Sequence, residues 1–170
     1  NLSYNFGLTD IDFAAIGGMS QLETLSLSSL NLQGSIPVSI LTLSNLSSLN
    51  LANNALTGEI PAELWNLSSL TNLNLGSNQL TGTLSSDIGN LINLTDLSLY
   101  RNQLTGSIPQ TITQIPLNYI NIRNNQFTDL PSLDGMSDLQ YLRIYNNLFT
   151  FEDIEPNIGV PLYSFNYSPQ

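Results

Sequence analysis

Residues 46–69 read LSSLNLANNALTGEIPAELWNLSS, and residues 70–93 read LTNLNLGSNQLTGTLSSDIGNLIN. The two segments align without a gap, and the segments that begin at Leu22 and Leu94 align with them at the same period of 24 residues. Two looser and shorter copies follow further along the chain. Self-similarity at a period of roughly 20 to 50 residues predicts a repeat architecture, in which each copy is one structural unit that stacks on its neighbours.

Within each copy, positions 1, 4 and 6 are apolar and positions 3 and 5 are polar, which predicts one short, half-buried strand per repeat. No repeat buries its apolar stripe alone, so neighbours stack at the strand spacing of about 4.8 Å. A second apolar set, at positions 11 and 15, faces inward from the opposite wall: Leu56, Ile60, Leu80, Leu84, Leu104 and Ile108. We predict an α/β-type repeat solenoid, mostly β and irregular, forming a right-handed superhelix with a parallel β-sheet on its concave face.

Position 9 of the repeat is asparagine in five of the six fuller copies: Asn54, Asn78, Asn102, Asn125 and Asn147. A buried amide at this point satisfies the backbone groups that a tight turn leaves unpaired. Leu30 takes the same place in the first copy. We therefore expect the asparagine ladder to be broken there.

The segments LTGEIP (56–61) and LTGSIP (104–109), inside the pattern LxxLxLxxNxLxGxIPxxL, resemble the plant-specific class of leucine-rich-repeat proteins. The resemblance is close over residues 22–116 and looser over the rest. It implies an extracellular horseshoe of the kind found in receptor ectodomains and in inhibitors of cell-wall polysaccharide hydrolases, which are binders and not catalysts. The closing segment FEDIEPNIGVPLYSFNYSPQ (151–170) looks like the end of repeat arrays in surface-exposed or secreted bacterial proteins, where further domains commonly follow.

The repeats predict a single domain over residues 1–170. Its parts are a partial repeat or N-terminal coil (1–21), four regular repeats (22–116), two degenerate repeats (117–160) and a partial terminal repeat (161–170). The opening NLSYN (1–5) fits positions 5 to 9 of a repeat, and Leu162, Phe165 and Tyr167 fit the strand of another. We therefore expect the chain to be part of a longer one.

Composition excludes several classes of function. Thirteen acidic residues against 3 basic ones give a net charge of -10, so nucleic acid and anionic membrane surfaces are disfavoured partners. Only 9% of residues are charged, which predicts a surface of hydroxyls and amides. There is no cysteine, histidine or lysine, so zinc–thiolate sites, imidazole chemistry, Schiff bases and the phosphate-loop lysine are excluded. No run reaches the roughly 20 apolar residues of a membrane span.

These exclusions predict a protein that is not an enzyme and that needs no cofactor and no metal. We expect an extracellular or cell-surface module that recognises a protein or a polysaccharide through its concave face. The alternative is a structural spacer or adhesion segment of a larger surface protein, in which the ligand is bound elsewhere.

Positions 3, 5, 7 and 8 of each repeat should face solvent on the concave sheet. The first three repeats offer small groups there, and the next three offer large ones. The predicted ligand-binding residues are Tyr100, Arg101, Tyr119, Arg123, Tyr141, Arg143 and Tyr145, which include all three arginines of the chain. Tyrosine and arginine are enriched at energetic hot spots of interfaces, so we predict a contact site for a protein or a glycan. The alternative is cross-strand packing that stiffens the sheet.

Position 12 forms a file of threonines: Thr57, Thr81, Thr105, Thr128 and Thr150. Stacking would space these hydroxyls at about 4.8 Å, and such an array could order water as an ice-binding surface does. The more common role of a turn threonine is to bond the local backbone.

The remaining polar features have ordinary explanations. Acidic groups gather at Asp129, Asp134 and Asp138 and again at Glu152, Asp153 and Glu155, where calcium binding competes with a solvated face. Glu59 and Glu63 lie on the convex side, so we reject a glycosidase pair there. Trp65 should pack in the interior. Glycosylation motifs stand at Asn1, Asn45, Asn66, Asn93 and Asn166, and their use depends on the source of the protein.

Overall fold

The computed structural model describes residues 11–160 and 164–166. One strand per repeat forms a sheet of seven parallel strands, in chain order along the stack. Its members are β1 (Thr24–Ser26), β3 (Ser48–Asn50), β5 (Asn72–Asn74), β7 (Asp96–Ser98), β9 (Tyr119–Asn121), β11 (Tyr141–Arg143) and β12 (Ser164–Asn166). Leu25 pairs with Leu49, Leu49 with Leu73, and Leu73 with Leu97, so the position-4 side chains stack in register. The predicted repeat and its parallel sheet are confirmed.

The return wall of each coil carries shorter strands and 3-10 helices. The strands are β2 (Gln33–Gly34), β4 (Ala55–Glu59), β6 (Gln79–Thr81), β8 (Thr105–Ser107) and β10 (Gln126–Asp129). The 3-10 helices are Val38–Thr42, Ala62–Asn66, Ser86–Asn90, Gln110–Gln114 and Glu155–Asn157. Two short α-helices lie outside the regular repeats, α1 (Phe13–Gly17) and α2 (Phe151–Ile154). No helix among the described residues is long and apolar enough to cross a membrane.

The interior is filled by the apolar positions of the repeat. The predicted position-11 and position-15 side chains of the second wall are buried, and so are the position-1, -4 and -6 side chains of the strands, except for the partly buried Leu22 of the first coil. Trp65 is 1% exposed, which confirms its packing role. Each Leu or Ile side chain buried in this way contributes roughly 1.5 to 3 kcal/mol, so stacking supplies the stability that a single coil lacks.

The asparagine ladder ties each coil to the one before it. Asn78 Oδ1 accepts from Leu56 N at 3.0 Å, while its Nδ2 donates to the carbonyls of Leu51 and Leu75 at 3.1 and 3.0 Å. Asn102, Asn125 and Asn147 repeat this arrangement. The predicted role of position 9 is therefore confirmed.

The first coil departs from this pattern, as its Leu30 predicts. The main-chain N–H groups of Leu30 and Leu32 both donate to Asn54 Oδ1 of the next coil, each at 3.0 Å. Asn31 takes a φ of 57°, in addition to the left-handed residue that each coil has at position 8. Asparagine adopts this conformation more readily than most residues, so it allows the extra bend.

The ends of the array differ from the repeats. Helix α1 packs against the first 3-10 helix, and Asp12 Oδ1 accepts from Ala15 N at 2.9 Å to cap it. Helix α2 begins with a capping box in which the Thr150 main-chain N–H donates to the Asp153 carboxylate at 2.7 Å. The predicted partial repeat at residues 1–5 lies outside the described residues, as do Leu162 and Tyr167.

Candidate binding surface on the seven-stranded sheet

Alternate residues of each strand leave the buried core and project from the outer face of the sheet. In β9, Tyr119 is half-buried and Ile120 is buried, and Tyr119 pairs with Asp96 on one side and Tyr141 on the other. Asn121 pairs in the same way with Ser98 and Arg143. The register therefore brings the aromatic and basic residues of three successive repeats together.

Arg123 lies between two tyrosine rings. Its guanidinium carbon is 4.6 Å from the centroid of Tyr100 and 5.8 Å from that of Tyr145. A cation over the face of an aromatic ring is attracted by the ring quadrupole, by about 0.5 to 1 kcal/mol at exposed sites. The two rings orient the guanidinium and leave its N–H donors for hydrogen bonding.

A second group surrounds Tyr119. The Arg143 guanidinium carbon is 5.7 Å from the Tyr119 centroid, and the Tyr141 ring lies 6.3 Å away at an interplanar angle of 49°. We name these six residues the Tyr–Arg patch: Tyr100, Tyr119, Arg123, Tyr141, Arg143 and Tyr145. The same contacts between neighbouring strands are those that the sheet-stiffening interpretation predicts.

Gly76 determines where the Tyr100 ring lies. A Cβ atom built on Gly76 would overlap Cε1 and Cδ1 of Tyr100, so the ring lies directly on the glycine of the preceding repeat. Gly76 occupies position 7, the same position as Tyr100 one repeat later. Sequence reasoning treated Gly76 only as a small exposed group, and the signal that could have found its role is the pairing of Gly and Tyr at one position of adjacent repeats.

An open groove of about 500 Å³ runs along this face. One half is lined by Tyr100, Tyr119, Arg123 and Arg143. The rest is lined by small polar side chains, including Asn50 and Asn74 of the preceding repeats and Ser98 of the repeat that contains Tyr100. The groove therefore extends beyond the predicted ligand-binding residues. Three of the predicted residues do not line it: Arg101, Tyr141 and Tyr145. Tyr141 and Tyr145 contact the groove residues Tyr119 and Arg123, whereas Arg101 is exposed at the turn after β7, with a φ of 52°.

The arginines carry positive charge that the described part of the chain leaves uncompensated. None of the three forms an ion pair with a carboxylate of the described residues within 4.0 Å. Asp96 also lines the groove, and its Oδ2 accepts from the Thr95 hydroxyl at 2.7 Å. In a chain of net charge -10, the patch is a local basic site on an acidic protein.

Asparagines at position 5 line the groove, and their hydrogen bonds differ between repeats. Asn50 Oδ1 accepts from Ala52 N at 3.0 Å, and Asn74 Oδ1 accepts from Gly76 N at 3.1 Å. Asn121 is 2% exposed, and its Nδ2 donates to the Tyr119 hydroxyl at 3.0 Å. Its Oδ1 is buried and has no hydrogen-bond partner.

Comparison with known proteins identifies the family. The model described as Leucine Rich Repeat matches residues 21–43, 45–67, 69–91 and 93–115, which is more than half of the chain. The chain is a leucine-rich-repeat protein. No curated protein matches it as a relative.

Solved structures of plant receptors resemble this leucine-rich-repeat chain. The PEPR1–AtPEP1 structure is 41% identical, with a TM-score of 0.76 over 80% of this chain and 20% of that one. The ectodomain of the Arabidopsis thaliana receptor kinase GASSHO1/SCHENGEN3, in complex with CASPARIAN STRIP INTEGRITY FACTOR 2, is 38% identical, with a TM-score of 0.77 over 80% and 17%. The Arabidopsis HAESA ectodomain with an IDA peptide hormone is 31% identical, with a TM-score of 0.76 over 80% and 23%. The chain spans less than a quarter of each receptor chain.

The threonine file of the leucine-rich-repeat chain is staggered. Pairing along the second wall joins Thr57 to Gln79 and Thr105 to Gln126, so neighbouring position-12 threonines do not stand opposite each other. The expectation of a hydroxyl array at strand spacing is therefore wrong. The Thr105 hydroxyl donates to the Gly82 carbonyl at 3.3 Å, which is the backbone role that turn threonines commonly have.

The acidic residues of the leucine-rich-repeat chain do not come together in any group of three or more within the described ranges. Asp129 Oδ2 accepts from the Ser107 hydroxyl at 2.8 Å and from the Thr128 hydroxyl at 2.6 Å. The Thr128 bond, followed by the Ser107 bond, lowers the pKa of the Asp129 carboxyl below its ordinary value. This carboxylate is therefore part of a local hydrogen-bond network.

Proposed function

We propose that this leucine-rich-repeat chain is an extracellular recognition module, without catalytic activity of its own, that binds a protein or peptide segment on its concave sheet face at the Tyr–Arg patch. The observation that carries the proposal is the position of Arg123 between Tyr100 and Tyr145, with no carboxylate partner in the described residues. A pre-oriented guanidinium binds a carboxylate through two parallel hydrogen bonds, which add geometric specificity to charge. The expected partner is therefore an acidic segment.

The receptor structures support this class of ligand. The HAESA structure contains a leucine-rich-repeat ectodomain in complex with an IDA peptide hormone, and the GASSHO1/SCHENGEN3 structure contains one in complex with CASPARIAN STRIP INTEGRITY FACTOR 2. Both resemble this chain over 80% of its length. An extended peptide also suits a long, shallow groove, because successive side chains contact successive repeats. The ectodomain character of these proteins supports an extracellular location.

The test is a selection of phage-displayed random short peptides on the chain, followed by affinity measurements with purified variants. We expect acidic peptides, and we expect Arg123→Ala and Tyr145→Ala each to weaken binding by more than about 2 kcal/mol, or about 30-fold. Thr57→Ala, on the other wall, is the matched control and should bind as the parent does. Binding that survives both patch variants, or that falls equally on changing Ser26, which does not line the groove, would refute the proposal.

Two further measurements separate the other functions that the sequence leaves open. A glycan array probed in parallel would reveal a polysaccharide ligand through binding that depends on the same tyrosines. If neither the peptide selection nor the glycan array yields a ligand, the alternative function as a structural spacer is favoured. A thermal-hysteresis measurement should give no signal, because the threonines of the second wall are not aligned.

A further inference from the structure

We infer that Asn121 is a ligand-reading residue of the groove, and that its Oδ1 accepts a main-chain N–H from an extended acidic peptide. The inference rests on the proposed function and adds to it a specific acceptor atom. Its starting point is that Asn121 is 2% exposed, lines the groove and has an Oδ1 atom with no hydrogen-bond partner. Buried polar atoms in proteins are nearly always paired, so a lone exception at a groove indicates a missing partner.

The same sheet contains the internal comparison. Asn50 and Asn74 occupy position 5 in earlier repeats, and each Oδ1 accepts the main-chain N–H of position 7 in its own repeat. The equivalent N–H in the Asn121 repeat belongs to Arg123, and it has no acceptor among the described residues. Asn121 does not take it because its Nδ2 is held by the Tyr119 hydroxyl. Within the described part of the chain, the repeat that begins at Leu117 therefore has one unpaired acceptor, Asn121 Oδ1, and one unpaired donor, the main-chain N–H of Arg123.

That pair matches the chemistry of a peptide group. A ligand main chain offers an N–H to Asn121 Oδ1 and a C=O to Arg123 N–H, while an acidic side chain of the same segment reaches the guanidinium of Arg123 or Arg143. The Tyr119 ring, with Arg143 stacked on it, lies beside Asn121 and has to shift for the ligand to enter. Side-chain rearrangement of this kind is common at interfaces whose backbone stays fixed.

The experiment uses peptides from the selection whose binding is abolished by Arg123→Ala. Each is synthesised with single N-methyl groups along its main chain, and its affinity is measured on the parent chain and on Asn121→Leu. We expect one N-methyl position to weaken binding to the parent by about tenfold and to leave binding to Asn121→Leu unchanged. Either change removes the same hydrogen bond, from the peptide N–H to Asn121 Oδ1, so the second change has no bond left to remove.

Thermal unfolding gives a second, ligand-free readout. Asn121→Leu removes the unpaired acceptor together with the Nδ2 bond to the Tyr119 hydroxyl, so its midpoint should equal or exceed that of Tyr119→Phe, which loses the same bond and keeps the unpaired acceptor. The matched variant Asn50→Leu removes a paired acceptor and should lower the midpoint by about 2 to 4 °C. Asn121→Ala replaces Asn121→Leu in the affinity measurement if the leucine variant does not fold.

The outcomes separate the inference from the function on which it rests. If Arg123-dependent peptides are found but every N-methyl effect is identical on the parent and on Asn121→Leu, the Asn121 subsite is wrong and the proposed function stands. A midpoint for Asn121→Leu below that for Tyr119→Phe also overturns the subsite, since Oδ1 would then be paired within the chain. If no Arg123-dependent peptide is selected, the proposed function fails and the subsite fails with it.

Discussion

Replacing Asn102 with leucine should measure the contribution of one member of the asparagine ladder. Asn102 is 9% exposed, its Oδ1 accepts from Leu80 N at 3.0 Å, and its Nδ2 donates to the carbonyls of Leu75 and Leu99 at 3.1 and 3.0 Å. Leucine has a similar volume, so the change removes these bonds without leaving a large cavity.

The expected loss follows from which groups remain unpaired. The Leu75 carbonyl still accepts from Asn78 Nδ2, and the Leu99 carbonyl still accepts from Asn125 Nδ2. Only the Leu80 N–H is orphaned. An orphaned buried donor costs about 1 to 3 kcal/mol, and each net bond lost adds about 1 kcal/mol or less, so we expect a loss of about 2 to 4 kcal/mol.

Urea unfolding followed by circular dichroism measures this loss. Gln103→Ala, at the exposed neighbouring position, is the control and should change the free energy of unfolding by less than about 0.5 kcal/mol. A loss below about 1 kcal/mol for Asn102→Leu would show that water or local rearrangement satisfies the Leu80 N–H. It would refute the view that the ladder is a chain of obligatory bonds.

Two other predictions concern the surface. Gly76→Ala should displace the Tyr100 ring, separate it from Arg123 and weaken binding of the selected peptides severalfold. The free energy of unfolding should fall by less than about 1 kcal/mol, because a side chain and not the backbone moves. Tyrosine fluorescence and affinity measurements check this prediction. Ser107→Ala should raise the Asp129 pKa toward its ordinary value, read by NMR titration, and an unchanged pKa would contradict the assigned cause. Since the folded-state pKa is lowered, the stabilising contribution of Asp129 is present above the ordinary carboxyl pKa and is lost as the pH falls through the lowered value.

The interior of the fold could be predicted because its causes are local and repeat. Leucine or isoleucine occupies positions 1, 4 and 6 in every fuller copy, and polar residues occupy positions 3 and 5, so only one strand orientation buries the apolar set. The role of position 9 followed from the same argument, since a buried turn needs an amide at that point. The departure at Leu30 was predictable for the same reason.

The outer face could be predicted only in part, because it depends on contacts between side chains of different repeats. The sequence predicts that Tyr119, Arg123 and Arg143 share one face, and the groove that all three line confirms their proximity. The same prediction grouped Arg101 with them, although the left-handed turn at that residue puts it outside the groove. The offset of the second wall, which separates the threonines, also had no sequence signal, since pairing there does not follow the 24-residue period.

Asparagine shows why the interior and the face require different arguments. At position 9 the surroundings are the same in every regular coil, so Asn78 and Asn102 make equivalent bonds. At position 5 the hydrogen bonding depends on the neighbour at position 3: Ser48 leaves Asn50 to bond its own backbone, whereas Tyr119 engages Asn121 and leaves its acceptor unpaired. A repeat can therefore keep its core residues unchanged while an aromatic residue at position 3 leaves one donor and one acceptor on the sheet face without partners. Because a ligand that fills both gains bonds without displacing any in the core, specificity can change from repeat to repeat at little cost to the fold.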